Sequence, residues 1–227
     1  MDQPRTPMPE FKEALKDIRW VNRHLGGTET LLEQVSCLLE KNPKKAFSVL
    51  DLGTGSADIP VALAVWGREQ KIELKITALD LHPSAVEDAR QVTENYPEIM
   101  VVQGDALQTG YPDGSFDVVT SSMFMHHLND DDAIRLLREM DRLARVGFVV
   151  NDLQRHVLAW LGISTLGFLT GKGRVFKNDA PLSVLRGFTV DEIHRLTEEA
   201  GFRQARIFTR PPYRVVLVNK KMPVSHG

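Results

Sequence analysis

Short apolar runs rich in Val, Ile and Leu alternate along the chain with longer stretches whose apolar residues recur every three or four positions. The first pattern suits buried strands and the second suits amphipathic helices. Strands are predicted near 47–52, 74–80, 99–102, 116–121, 146–151, 203–208 and 213–218, and helices near 57–69, 83–95, 131–143 and 189–200. Local punctuation agrees: Pro83 suits a first helical turn, Thr189-x-x-Glu192 is a capping-box pattern, and Gly201 is placed to end the last helix. Strand and helix in alternation predict an α/β fold, a mostly parallel sheet covered on both faces. The last two strands are joined only by Thr209-Arg210-Pro211-Pro212, too short for a helical crossover, so the last strand is expected to run antiparallel.

Two segments fall outside this alternation. Residues 10–41 read as two helices, with Phe11, Leu15, Ile18 and Trp20 in the first and Leu31, Leu32, Val35, Leu38 and Leu39 in the second. Residues 153–188 exceed an ordinary connection and hold the most apolar window, Val157 to Leu169, followed by Lys172, Arg174 and Lys177. Trp160, Leu161, Leu166 and Phe168 in that window either pack a helix on the sheet or form an apolar cap over a ligand. At 227 residues and 42% hydrophobic, the chain is long enough for one sizeable core. The expected organisation is a single domain: N-terminal helices 1–45, a core 46–152, a cap insertion 153–188, and a C-terminal helix with two strands over 189–227.

Charge and cysteine content narrow the function classes. With 28 basic against 30 acidic residues, a net charge of −2, and the basic ones scattered, no electrostatic footprint for nucleic acid is present. Cys37 is the single cysteine, which excludes an intrachain disulfide and a cysteine-rich metal site. The opening Met-Asp-Gln-Pro-Arg-Thr-Pro has no apolar leader. The 13-residue apolar window falls short of the roughly 20 residues that span a bilayer. A cytoplasmic protein without stable membrane insertion is expected.

Residues 47–58, Phe-Ser-Val-Leu-Asp-Leu-Gly-Thr-Gly-Ser-Ala-Asp, carry the chemistry: a strand, a glycine turn and the start of a helix. Gly53 and Gly55 permit a tight turn and close approach of a ligand to the backbone. A dinucleotide fold would want Gly or Ala at 58, with a pyrophosphate on the helix N-terminus. This chain has Asp58, which would repel a phosphate. The turn suits a cofactor with a positive centre and no phosphate, such as S-adenosylmethionine (SAM), with its ammonium and sulfonium groups.

Val49-Leu-Asp51-Leu-Gly53-Thr54-Gly55-Ser56 resembles the first motif of the class I SAM-dependent methyltransferases, and three more stations follow in order. Lys75-Ile-Thr-Ala-Leu-Asp80-Leu81-His82 is a second strand ending in an acid, 25 residues beyond Gly55, where a carboxylate can accept both ribose hydroxyl protons. Val101-Val-Gln-Gly-Asp105-Ala106 is a third, and in the family an Asp at this place faces the adenine amino group. Phe116 to His127 is a fourth strand with its loop. The resemblance implies a Rossmann-like seven-stranded sheet, a lid made of the N-terminal helices, and cofactor contacts from Asp51, Gly53, Thr54, Gly55, Asp58, Asp80, Leu81, Asp105, Ala106 and Ser121. The chain departs from the family's pattern at Ala57, where a third glycine is usual, and in lacking a Pro-Gly-Gly turn before the fifth strand.

Methyl transfer from a sulfonium asks mainly for positioning, and for a base when the acceptor is a phenol. His126 and His127 lie just beyond the fourth strand and His156 five residues past the fifth, so at most one of these three is expected to take the proton, with one of the adjacent pair pointing into the fold or capping the next helix. No metal is expected, because Asn151-Asp152 offers too few oxygens for Mg²⁺ and adjacent histidines lack partners for zinc. Arg210-Pro-Pro-Tyr213 is read as a turn. Met125-His-His-Leu128 resembles the ubiquinone and menaquinone biosynthesis methyltransferases, which implies a small lipophilic, aromatic or polyketide-like acceptor. Methylation at oxygen is expected first, with carbon methylation, an NAD-dependent oxidoreductase and a non-catalytic SAM-binding protein as the alternatives.

Overall fold

The computed structural model describes residues 15–17, 19–22, 24–40, 42, 44–169 and 174–221. Phe11, Ile18 and Lys172 lie outside these residues, and so do the side chains of Leu166, Phe168, Arg174 and Lys177. Residues 15–17 and 19–22 are helical and lead into α1 (Gly27–Leu39). The core then runs β1 (Ala46–Leu52), α2 (Asp58–Gln70), β2 (Glu73–Asp80), α3 (Pro83–Val92), β3 (Ile99–Gln103), β4 (Phe116–Ser122), a 3-10 turn (Met125–His127), α4 (Asp130–Leu143) and β5 (Ala144–Leu153). Two cap helices, α5 (Val157–Leu169) and α6 (Arg174–Arg186), precede α7 (Val190–Ala200), β6 (Arg206–Arg210) and β7 (Arg214–Lys220).

The seven strands form one sheet in the order β3-β2-β1-β4-β5-β7-β6. β1 pairs in parallel with β2 and β4, and β7 is inserted antiparallel between β5 and β6. The order reverses at β1/β4, where a doubly wound sheet opens its ligand crevice at the carboxyl edge. Alternation along the strands sends Leu50, Leu52, Val119 and Phe148 to one face, against Leu136, Leu137 and Met140 of α4 and Ile193 and Leu196 of α7. Val49, Val118 and Val149 face the other way, onto Leu31, Val35 and Leu38 of α1 and Leu63 of α2. Each such side chain contributes roughly 1.5–3 kcal/mol by leaving water, which welds both helical layers to the sheet.

Several boundaries differ from the sequence reading for local reasons. β6 begins at Arg206 rather than 203, because residues 202–205 close a turn in which the Ala205 amide donates to the Phe202 carbonyl at 3.3 Å. α3 ends at Val92, where the Thr93 hydroxyl bonds the Ala89 carbonyl and draws the last turn closed. In place of a Pro-Gly-Gly turn, α4 passes straight into β5 through Ala144 in an extended conformation. The capping box at Thr189 and Glu192 forms in both directions, and Gly201 ends α7 with a left-handed φ of 104°. Residues 211–213 make the turn between β6 and β7.

Candidate functional site

The glycine turn is held from both sides. The amides of Gly53 and Thr54 donate to the Leu79 carbonyl at 2.9 and 3.0 Å, while the Gly55 amide donates to an Asp80 carboxylate oxygen at 2.9 Å. The other Asp80 oxygen accepts the His82 amide at 2.9 Å, so this one side chain ties the turn after β1 to the turn after β2. Gly53 has φ 69°, and a β-carbon there would lie 2.4 Å from the Phe124 ring. Both observations require glycine. Ala57, the position of the missing third glycine, also takes a left-handed φ of 58°, a conformation a side chain adopts only at a cost.

Three carboxylates converge on this turn. Asp51 is buried and accepts a 2.7 Å hydrogen bond from the Thr120 hydroxyl. Burial pushes its pKa up to about 7; the Thr120 and Thr54 hydroxyls oppose this, and the charges of Asp58 and Asp80 add to it. Burial also raises the Asp58 carboxyl, which accepts from the Asn22 amide at 3.0 Å, and the Asp80 carboxyl. A buried carboxyl that two neighbouring carboxylates raise further, as at Asp51, marks a place where a cation is welcome and a phosphate is not. The buried Ser56 hydroxyl has no hydrogen-bond partner among the described residues, so the turn retains an unused polar group.

The remaining predicted cofactor residues are spread along the same edge. Leu81 is 65% exposed just past β2. Asp105 is exposed beyond β3, with one oxygen accepting the Leu107 amide at 2.8 Å, and Ala106 beside it is buried. The Ser121 hydroxyl donates to the Leu52 carbonyl at 3.1 Å, so its side chain serves to lock β4 to β1.

The histidines separate into different environments. His126 is buried, its Nδ1 2.6 Å from an Asp152 oxygen, and its amide donates to the second oxygen at 3.1 Å. Burial alone would raise the Asp152 carboxyl, but the His126 ring against it, with the amides of His126 and Leu153, holds it below its ordinary value. A carboxylate on Nδ1 keeps the proton there and leaves Nε2 with a free lone pair. The His127 ring lies 4.1 Å from that of His126. His156 caps α5, accepting the Leu158 amide on Nδ1 at 3.1 Å, and stacks on Tyr213 at 4.7 Å. Asn151 donates to the Gly27 carbonyl at 3.0 Å, and Asp152 is committed to His126. No group of three His, Cys, Asp or Glu side chains able to hold a metal occurs among the described residues.

The N-terminal helices were expected as a lid, but sequence reasoning did not name the side chains that clasp the glycine turn. Leu15 is buried against Ala85 and sits 3.5 Å from where a Gly55 side chain would begin. Arg19 pairs with Asp88 at 2.8 Å. Arg214 is fully buried, donating to the Leu25 carbonyl at 3.0 Å and the Asn22 side-chain oxygen at 3.3 Å. Burial lowers its pKa to about 10, against the pull of Asp152 and Asp58. Gly27 makes room for it, since a β-carbon there would lie 2.6 Å from the guanidinium carbon. The one sequence signal was the Gly26-Gly27 pair, silent about which side chain needed the space. In the cap, Trp160 and Leu161 are 37% and 47% exposed and belong to none of the buried clusters.

Comparison with known proteins converges on one family. Residues 49–147 match the methyltransferase domain family. A demethylmenaquinone methyltransferase of Bacillus licheniformis is 31% identical over 128 residues, 56% of this chain and 53% of that protein. The chain thus spans about half the length of the curated relatives it matches. Among solved structures, human N-acetylserotonin methyltransferase in complex with SAM has a TM-score of 0.68 at 16% identity, covering 95% of this chain and 56% of that one. A SAM-dependent methyltransferase from Aquifex aeolicus has a TM-score of 0.63 at 16% identity, covering 94% and 98%. At 16% identity these likenesses show the fold alone. Through residues 49–147, less than half of the chain, the protein is similar to the methyltransferase domain family, and its sheet is the one found in SAM-dependent methyltransferase structures.

Proposed function

We propose that the chain transfers the methyl group of SAM to a small hydroxylated ring, lipophilic in character, with methylation at oxygen. The observation that carries the cofactor choice is the convergence of Asp51, Asp58 and Asp80 on the glycine turn. When bound, SAM supplies a methyl carbon on a sulfonium, already a good leaving group. The protein's part is then binding, orientation and proton removal.

Asp80 would accept the ribose hydroxyls, and Asp51 and Asp58 would offset the charge of the amino-acid end. Leu81 and Asp105 would hold the adenine. The helical residues before Gly27 act as a lid, because Leu15, Arg19 and Asn22 reach the turn and α3. His126 is the candidate base: Asp152 holds its Nδ1–H, and Nε2 would take the acceptor's hydroxyl proton. His127 and His156 are left with positioning and structural parts.

The demethylmenaquinone methyltransferase relatives support carbon methylation as a second reading. The same proton removal from a quinol would place negative charge on the ring carbon. Calorimetry with S-adenosylhomocysteine (SAH), SAM and NADH tests the cofactor; tighter binding of NADH than of SAH would overturn the proposal. Radiolabelled SAM with a panel of phenols, naphthols and short-chain naphthoquinols tests the acceptor, and mass analysis of the product separates oxygen from carbon methylation. Absence of transfer to every hydroxylated ring would refute the acceptor class.

A further inference from the structure

Arg214 is the only buried arginine among the described residues, and it meets no carboxylate there. Its Nε donates to the Leu25 carbonyl at 3.0 Å, its Nη2 to the Asn22 side-chain oxygen at 3.3 Å, and its Nη1 to the Met123 sulfur at 3.5 Å. All three acceptors are neutral, and a thioether is a weak one. Arg19, Arg142 and Arg155, which are partly exposed, each have a carboxylate partner. A buried charge is ordinarily matched by an opposite one. Asp152 and Asp58 act on Arg214 without contact, and each is already engaged, the first by His126 and the second by Asn22. The guanidinium also lies against Gly27, at the positive end of α1, where the cap residue Gly26 offers no side-chain acceptor. The surroundings therefore add to the demand for an anion.

Asn22 sets the arrangement. Its amide nitrogen donates to Asp58 at 3.0 Å while its oxygen accepts from Arg214, so a guanidinium and a carboxylate of the glycine turn stand on opposite sides of one amide and do not neutralise each other. An α-amino acid carries its ammonium and its carboxylate on the same carbon and calls for an anion and a cation held close but apart. Asn151 bonds the same Gly27, donating to its carbonyl at 3.0 Å, and its own buried oxygen has no partner among the described residues. Met123 places its sulfur on Nη1 from a left-handed φ of 55°, a conformation a side chain adopts at a cost. We propose that Arg214 receives the carboxylate of SAM's amino-acid end, the carboxylate taking the place of the Met123 sulfur on Nη1 while Asp58 faces the ammonium. The inference rests on the cofactor reading above and supplies a partner for the one charge of SAM that the aspartates repel.

Calorimetry with three ligands tests it: SAH, methylthioadenosine, which lacks the amino-acid end, and decarboxylated SAH, which keeps the ammonium alone. Arg214→Met removes the charge and keeps much of the apolar bulk, an exchange that buried sites commonly tolerate. It should weaken SAH roughly tenfold or more, as for a lost charged hydrogen bond, and leave methylthioadenosine within about twofold. An equal loss for both ligands would overturn the proposal, because Arg214 would then only brace the lid. SAH affinity untouched by the substitution would do the same and leave the guanidinium to an anionic acceptor. The wild type gives a second reading that does not depend on the variant's folding: decarboxylated SAH should bind roughly tenfold or more weakly than SAH, and equal affinity refutes the carboxylate subsite. Failure of the wild type to bind either SAH or methylthioadenosine would sink the cofactor reading itself, whereas tight binding of both by wild type and variant alike removes the Arg214 assignment alone.

Discussion

Replacing Asp51 by Asn separates the cost of the cofactor site from its benefit. In the folded protein the Asp51 carboxyl titrates at about 7, pushed up first by burial, whereas in the unfolded chain it titrates near the ordinary ~3.9. The folded state thus holds this proton more tightly. The contribution to stability is fully present below about pH 4 and is lost as the pH rises through 7. Between pH 6 and pH 8 the ionising carboxyl removes about 1.4 kcal/mol, since the folded form passes from mostly protonated to mostly ionised while the unfolded form stays ionised. For a domain of this size that corresponds to roughly 3–6 °C in Tm. Asn keeps an oxygen to accept the Thr120 hydroxyl, so the packing need not change. Thermal denaturation of ligand-free wild type and Asp51→Asn at pH 6 and pH 8 reads the effect: their difference in Tm should move by that amount in favour of the variant. SAH affinity should show the reverse, falling roughly tenfold or more at pH 8 with loss of a charged hydrogen-bond acceptor. A Tm difference independent of pH, or SAH binding untouched by the substitution, would refute the assignment of Asp51 as a buried acid facing the cofactor's positive end.

Three further outcomes are expected. Asp80→Ala should weaken SAH by roughly 1.5–3 kcal/mol in calorimetry, because it removes both the ribose acceptor and the anchor of the Gly55 amide. Asp152→Asn should lower turnover about 10²–10⁴-fold with SAH affinity retained, since an amide donating to His126 Nδ1 would move the ring proton to Nε2; turnover within a few-fold of wild type would remove His126 as the base. Activity toward whichever acceptor is identified should survive EDTA, and loss restored by Mg²⁺ would make Asn151 and Asp152 ligands instead.

The α/β class and the glycine turn were legible from sequence alone because both are local. The parallel sheet follows from apolar runs such as Val49-Leu50 and Val118-Val119, whose near-continuous hydrophobicity reports burial on both faces. The antiparallel last strand follows from a four-residue connection, and the capping box at Thr189 and the stop at Gly201 depend on neighbours within one helical turn. The start of β6 was missed because a turn over 202–205 carries no glycine or proline to announce it. What only the tertiary structure decided are the relations between residues far apart in the chain. Nothing near His126 announces that Asp152, 26 residues later, would take its Nδ1 and set it apart from His127 and His156. Arg214 reaches Asn22 across 192 residues into the space left by Gly27. The apolar window at 157–169 could be read equally as core or as cap; its outward face was settled by the helices beneath it, since hydrophobicity is a property of the side chain and burial is a property of what folds over it.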